Sequence, residues 1–270
     1  MTIALDTVRS ALFMPASNLR AMEKARGLPA DMVILDLEDA VSEDAKLSAR
    51  DGAVAAAAGF EGRLCAIRIN GAGTLWHDAD SIAVAASVAD VVVVPKVEDA
   101  AAIAALAARL GKPVIAMIET PAGLYAARQI ASAPGVAGLF AGTNDLAAEI
   151  GIPADAGRSG LALALQMIVL AAAAARIPAF DGVNNNLDDL TAFDAECRAA
   201  RNLGFSGKTL IHPKQIDPCN AAFSPDAAAI EDARALIAAA QGGAERFRGR
   251  MIETMHVAQA RALLARARLD

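Results

Sequence analysis

Short apolar runs alternate with longer Ala- and Leu-rich stretches along most of the chain. The runs are Ser10 to Met14, Met32 to Asp36, Leu64 to Asn70, Asp90 to Lys96, Val114 to Thr120, Val136 to Gly142, Pro178 to Val183 and Gly207 to Pro213. Each is short enough for a strand and apolar enough to be buried on both faces, the pattern of a parallel sheet. Helical patterns separate them, for example over Leu19 to Arg26 and Glu43 to Ala58. Eight such alternations before residue 225 predict one closed (β/α)8 TIM barrel over residues 1–225. The seventh run, short and opening after a proline, carries the weakest strand signal. Beyond the Ser224–Asp226 turn, helices are predicted over Asp226 to Ala240 and Glu253 to Ala267, with Gly242 and Gly243 as a hinge or helix stop. Residues 226–270 thus read as a helical extension that packs on a neighbouring subunit, not as an independent domain.

Composition narrows the class. The chain of 270 residues is 55% hydrophobic and 21% charged, far from the composition of a disordered protein. A net charge of −6 argues against nucleic acid or an anionic membrane as partner, since both reward clustered Lys and Arg. Cys65, Cys197 and Cys219 are widely spaced with no CxxC pair, which predicts reduced thiols in a cytoplasmic setting. No basic segment followed by an apolar run opens the sequence, so no signal peptide is expected. The greasiest stretch, Leu161 to Ala175, would make a helix about 22 Å long, short of the roughly 30 Å hydrocarbon core.

The candidate chemistry lies where strands end. Glu38 and Asp39, Arg68 and Asn70, Lys96, Glu119, Asp145, Asp181 and His212 each close or follow an apolar run. In a barrel these positions converge on the rim that carries active sites. The plainer alternative is that strand ends are polar because the chain is emerging into water. Glu119 and Asp145, on neighbouring strands, are the candidate metal ligands. An all-oxygen pair without matched His or Cys suits Mg²⁺ completed by water and substrate oxygens, and disfavours zinc. Capping of a helix by Thr143 or Asn144 is the competing role for the segment before Asp145. Arg68 suits capture of a carboxylate or of an enolate-like oxygen, or alternatively an ion pair with Glu38 within the rim. Asn70 and Lys96 are further substrate-binding candidates, although Lys96 could equally cover the rim and Asp39 cap a turn. His212, before Pro213, reads more simply as a loop anchor than as a base, and Cys65 as a buried core thiol. Lys96 and Lys208 are the positions for a Schiff base, but their spacing does not select it. No GxSxG elbow, dinucleotide fingerprint or P-loop is present.

The segments "RSALFMPAS", "DMVILDLEDAV", "IRIN", "VVVPKV", "AMIETPAG", "GTNDLAAEIG", "LGFSGKTLIHPKQI" and "NAAFSP" resemble, in order, the citrate lyase β-subunit-like family. The resemblance runs from about Arg9 to the last helix. It implies Mg²⁺ held by Glu119 and Asp145, with Arg68 on substrate oxygens and Glu38 supporting it from behind. The implied substrate is a 3-hydroxyacyl thioester of CoA or an acyl-carrier protein, cleaved to an oxo acid and an acyl thioester. It also implies a homotrimer in which Glu253, where the family usually has aspartate, reaches a neighbouring subunit's site as a catalytic residue. Asn144 stands where glutamate is common, and Ala16 where glycine is common. An aldolase acting on free oxo acids such as pyruvate would use the same metal pair without CoA affinity. A lyase-complex subunit would be inactive alone and would co-purify with a carrier protein.

Overall fold

The computed structural model describes residues 5–60, 62–153 and 155–267. The predicted domain limits at Met1 and Asp270 therefore lie outside the described residues, as does the start of the segment read for a signal peptide. Two compact units are present, Met1–Asn220 and Ala221–Asp270.

The first unit is a closed barrel of eight parallel strands in sequential order. They are β1 (Ser10–Pro15), β2 (Met32–Asp36), β3 (Leu64–Arg68), β4 (Val91–Val94), β5 (Val114–Ile118), β6 (Val136–Ala141), β7 (Ala179–Asp181) and β8 (Gly207–Leu210). Around them run α1 (Leu19–Ala25), α2 (Lys46–Ala57), α3 (His77–Ala85), α4 (Ala100–Leu110), α5 (Pro121–Ala131), α6 (Thr143–Ile150), α7 (Ala162–Ala175) and α8 (Leu190–Leu203), with α9 (Ile216–Phe223) after β8. From β3 to β8 the strands are one to three residues shorter than the apolar runs, because the polar ends leave the ladder and become the rim; β2 matches its run and β1 exceeds it by Pro15. Side chains close several helix starts: Asp99 caps α4 at 2.6 Å, Thr120 caps α5 at 3.0 Å with Pro121 following, and Asp189 caps α8 at 2.9 Å.

Strand alternation decides what faces the barrel axis. Ala11, Met32, Ile34, Ala66, Val91, Val93, Ile115, Met117, Phe140 and Phe180 pack together as the interior, with Phe13 and Leu64 against them. Phe140 and Phe180 meet edge to face at 5.3 Å, and Phe13 contacts Phe140 at 6.4 Å. Counting on by two from Ile34, Ala66 and Met117 gives Asp36, Arg68 and Glu119, so three polar residues form the layer above this apolar floor. By the same count Asp181, next to inward Phe180, faces the helices.

The second unit contains α10 (Ala227–Ala239), an antiparallel hairpin of β9 (Glu245–Phe247) and β10 (Arg250–Ile252), and α11 (Thr254–Arg266). Ala233, Leu236, Ile252 and Ala260 form its core. The hairpin falls in a stretch read only as a glycine hinge. Its two-residue turn has positive φ at both Arg248 (46°) and Gly249 (83°), the geometry that matches strand twist in tight hairpins.

Candidate active site at the barrel rim

A cavity of about 330 Å³ opens at the carboxyl ends of the strands, with Phe13 and Met117 on its floor and Asp36, Arg68, Glu119 and Asp145 among its walls. Arg68 is its fixed centre. Its Nε and Nη2 donate to the two oxygens of Asp36 at 2.6 and 2.7 Å, a bidentate clamp on the neighbouring strand. Asp36, itself buried, also accepts from the Glu38 and Ala40 amides at 2.9 and 3.2 Å. The guanidinium lies 4.8 Å from the centroid of the Phe13 ring. Burial pulls its pKa down, but Asp36, Glu38 and Asp39 outweigh that, and Arg68 is held more firmly protonated than a free arginine. Asp36 is the residue that sequence reasoning missed: it was visible as the last residue of an apolar strand, and its place two beyond Ile34 was the available signal.

Glu38 Oε2 stands 2.6 Å from Arg68 Nη1. The contact is an ion pair off the N–H direction, so Oε2 accepts no hydrogen bond. Burial pushes the Glu38 carboxyl up to about 8; Arg68 pulls against this, while Asp39, Glu119 and Asp36 add to the rise.

Glu119 is buried, and its Oε1 accepts from the Lys96 amide at 2.7 Å. Lys96 makes that contact from a left-handed backbone, φ 51°, unusual for a residue with a side chain. Burial raises Glu119 to about 7; the Lys96 amide lowers it, Asp145 raises it, and Arg68 and Lys96 lower it. Gly142, after β6, makes room for this carboxylate, since a Cβ there would collide with the Glu119 side chain. Asp145 lies in the first turn of α6, whose N-cap is Gly142 with no side-chain cap, so neither Thr143 nor Asn144 plays the capping role considered above. Lys96 Nζ stands 3.2 Å from Asp145 and is held protonated chiefly by that hydrogen bond.

These features fit a hard cation. Asp145 is close enough to raise Glu119, the charge of the buried Glu119 carboxylate is only partly offset by Arg68 and Lys96, and the Lys96 ammonium stands as a counter-ion beside the half-exposed Asp145. Among the described residues no group of three or more His, Cys, Asp or Glu has metal-binding geometry, so two carboxylates plus water and substrate oxygens are the donor set available. Across the mouth Asn185 Nδ2 donates to Asn144 Oδ1 at 2.9 Å.

Other sequence-predicted residues lie elsewhere. Asn70 is buried away from the cavity, receiving Lys46 Nζ at 2.6 Å and donating to Asp80 at 2.6 Å, because the chain turns outward after Arg68. It does not line the cavity as a substrate ligand would. Asp181 pairs with Lys208 Nζ at 2.6 Å and with Arg158, and Glu196 joins both cations at 2.7 Å, between the barrel wall and α8. Burial raises Asp181, yet Lys208 and Arg158 more than reverse this and hold it below the usual carboxylate range. Lys208 is fully buried within this cluster, which leaves no role as a Schiff-base lysine. His212 Nδ1 accepts from the Lys214 amide at 3.1 Å and anchors its loop. Cys65 is buried in β3, its thiol pushed up to about 12 by burial and then by Asp90. Cys197 and Cys219, distant in sequence, are in contact as free buried thiols. Glu253 belongs to the second unit, where its amide donates to His256 Nδ1 at 2.9 Å at the start of α11.

Residues 9–213 match the family model HpcH/HpaI aldolase/citrate lyase, and residues 166–270 match that of a C–C bond lyase of the TIM-barrel fold. The chain belongs to the HpcH/HpaI aldolase/citrate lyase family. Among its relatives is a (3S)-malyl-CoA thioesterase of Cereibacter sphaeroides, 42% identical, with 96% of this chain and 94% of that protein covered. Similar solved structures include CitE of Mycobacterium tuberculosis in complex with magnesium, acetoacetate and coenzyme A, with TM-score 0.83, 33% identity and coverage of 97% and 99%. The citrate lyase β subunit of the same organism, complexed with oxaloacetate and magnesium, matches with TM-score 0.74 and 33% identity over 83% of this chain and 100% of that one. Among the described residues of this family member, no helix is long and apolar enough to cross a membrane.

Proposed function

We propose that this chain is a Mg²⁺-dependent carbon–carbon lyase that cleaves a 3-hydroxyacyl thioester of the citryl-, malyl- or citramalyl-CoA type to an oxo acid and an acyl thioester. The observation that carries this reading is the buried Glu119 beside Asp145, facing the clamped Arg68 guanidinium across one cavity. Glu119 and Asp145 would hold the ion, which when bound supplies a Lewis-acid template for the oxygens of the oxo-acid half of the substrate. Cleavage removes the 3-hydroxyl proton, turns that C–O bond into a carbonyl, and leaves the electrons of the broken C–C bond in a thioester enolate, which then takes a proton on carbon. Arg68 opposes the charge that develops on the enolate oxygen, with Asp36 keeping it from reorienting. Glu38 stands behind Arg68, against its Nη1. Glu253 of a neighbouring subunit would be the proton carrier, the role that the family resemblance implies for it, and Lys96 a substrate-side cation that exchanges Asp145 for ligand.

The relatives support magnesium, oxo acids and CoA as the ligand class. The Cereibacter sphaeroides thioesterases favour a second reading, hydrolysis of a malyl-CoA-type thioester at the same site. One experiment separates the two. Protein is incubated with Mg²⁺ and a panel of malyl-, citramalyl- and citryl-CoA, while the oxo acid is trapped as a hydrazone and free thiol is titrated. Oxo acid without thiol supports the lyase; thiol with hydroxy acid supports the hydrolase. Turnover of none of them, with Mg²⁺ binding verified by calorimetry, overturns both. A cytoplasmic homotrimer is the proposed working form, supported by three buried free thiols and by exposed Tyr125, Leu163 and Leu170 on adjoining α5 and α7. Light scattering of the purified protein checks the oligomer.

A further inference from the structure

We infer that Lys46 is a positioning residue, which fixes the Glu38–Arg68 pair by holding the carbonyls of Leu37 and Glu38. The inference rests on the lyase reading only for its kinetic consequence. Lys46 is the first residue of α2, an end where the helix dipole disfavours a cation, and it is buried. All three of its N–H groups are used. They reach Leu37 O at 2.8 Å, Glu38 O at 2.7 Å and Asn70 Oδ1 at 2.6 Å, all of them neutral acceptors. The Trp76 ring covers the ammonium, 5.3 Å from it to the centroid.

The acceptors are themselves held. Asn70 Nδ2 donates to Asp80 Oδ2 at 2.6 Å, which turns the amide oxygen toward Lys46, and Arg50 Nε fixes the other Asp80 oxygen at 2.6 Å. On the opposite side of the same segment, the Leu37 amide donates to Arg68 O at 2.9 Å and the Glu38 amide to Asp36 Oδ1 at 2.9 Å. Leu37 and Glu38 are thus pinned at their amides by the Arg68–Asp36 pair and at their carbonyls by one ammonium. A buried cation costs desolvation that a methionine of similar volume would avoid, so stability alone does not account for it. What the lysine supplies is direction: with both carbonyls fixed, the Glu38 side chain leaves the backbone toward Arg68 Nη1.

The test uses Lys46→Met in the full chain, with thioester cleavage, Mg²⁺ calorimetry and a crystal structure. Expected are a kcat lowered about 10- to 100-fold, the scale set by misplacement of a charged group by about 1 Å, and a KM and Mg²⁺ affinity within about twofold of wild type. A purely packing role would lower thermal stability and leave the kcat of the folded enzyme intact, and that result overturns the inference. Should Lys46→Met not fold, Asn70→Ala removes one of the three acceptors and is expected to lower kcat about 3- to 10-fold with the same unchanged KM. The crystal structure decides independently of the reaction: Glu38 Oε2 should move beyond about 4 Å from Arg68 Nη1, outside ion-pair reach. An undisturbed pair refutes the positioning role even if the wild-type protein cleaves no thioester, an outcome that would separately end the lyase reading.

Discussion

Gly142 shows how much of the rim depends on the absence of a side chain. Its Cβ position is already taken by Glu119, so Gly142→Ala is expected to push that carboxylate off its Lys96 anchor. Mg²⁺ affinity measured by calorimetry should fall at least about 10-fold, as for loss of a supporting contact at a metal site, while the far-ultraviolet dichroism stays that of a barrel. Arg68→Lys tests the other half of the cavity. A lysine keeps the charge but cannot hold both Asp36 oxygens while facing the substrate, and kcat for thioester cleavage should drop by about 10²- to 10³-fold. Retention of full activity would remove Arg68 from the chemistry. At this scale the sequence was most readable where a residue type is uncommon in its setting: an arginine closing an apolar strand, or an acid directly after one. Asp36 and Lys46 went unread because each does its work through another residue: Asp36 holds Arg68 across the β2–β3 ladder, and Lys46 holds the carbonyls of the segment after β2.

Between elements, direction matters more than residue type. Asp181 closes β7 and Glu119 follows β5, yet one faces α8 and the other the cavity, and only the phase of alternation separates them. Short β7 offered few positions from which to read that phase. The Asp181–Lys208–Arg158–Glu196 cluster ties the loop before α7 to β7, β8 and α8. Asp181→Asn leaves buried cations underneutralised and should cost about 3–5 kcal/mol in urea unfolding, with the KM for thioester unchanged. A KM effect without a stability loss would return Asp181 to the active site. The β9–β10 hairpin went unread for a different reason. Its three-residue strands are too short to show alternation, and the Arg248-Gly249 turn lacks the usual Asn-Gly signature.

Across the whole molecule, eight alternations were enough to fix the barrel, because a parallel strand buried on both faces has few other places to go. The collected rim charges have a consequence for stability. Glu38 and Glu119 titrate near 8 and 7 in the folded chain, against 4.5 for each when unperturbed. Between those limits the folded state holds protons that the unfolded chain has released, so the metal-free protein loses stability as pH rises from about 4.5 to 8. Thermal midpoints recorded without metal should fall across that window, and Glu38→Gln should flatten the fall. Saturating Mg²⁺ should raise the midpoint most at the alkaline end, where the carboxylates are charged; about 2.7 kcal/mol is available at 100 times the dissociation constant. A midpoint that climbs with pH in the absence of metal would contradict the burial of these acids.

The chain contains a single tryptophan, and it is the one whose ring lies over Lys46. Indole emission responds strongly to a nearby positive charge, so unlabelled protein carries a built-in optical gauge of the Leu37–Glu38 segment. Rapid mixing with Mg²⁺ and an oxo acid would then time any shift of that segment directly, with no second fluorophore of the same kind to confuse the signal.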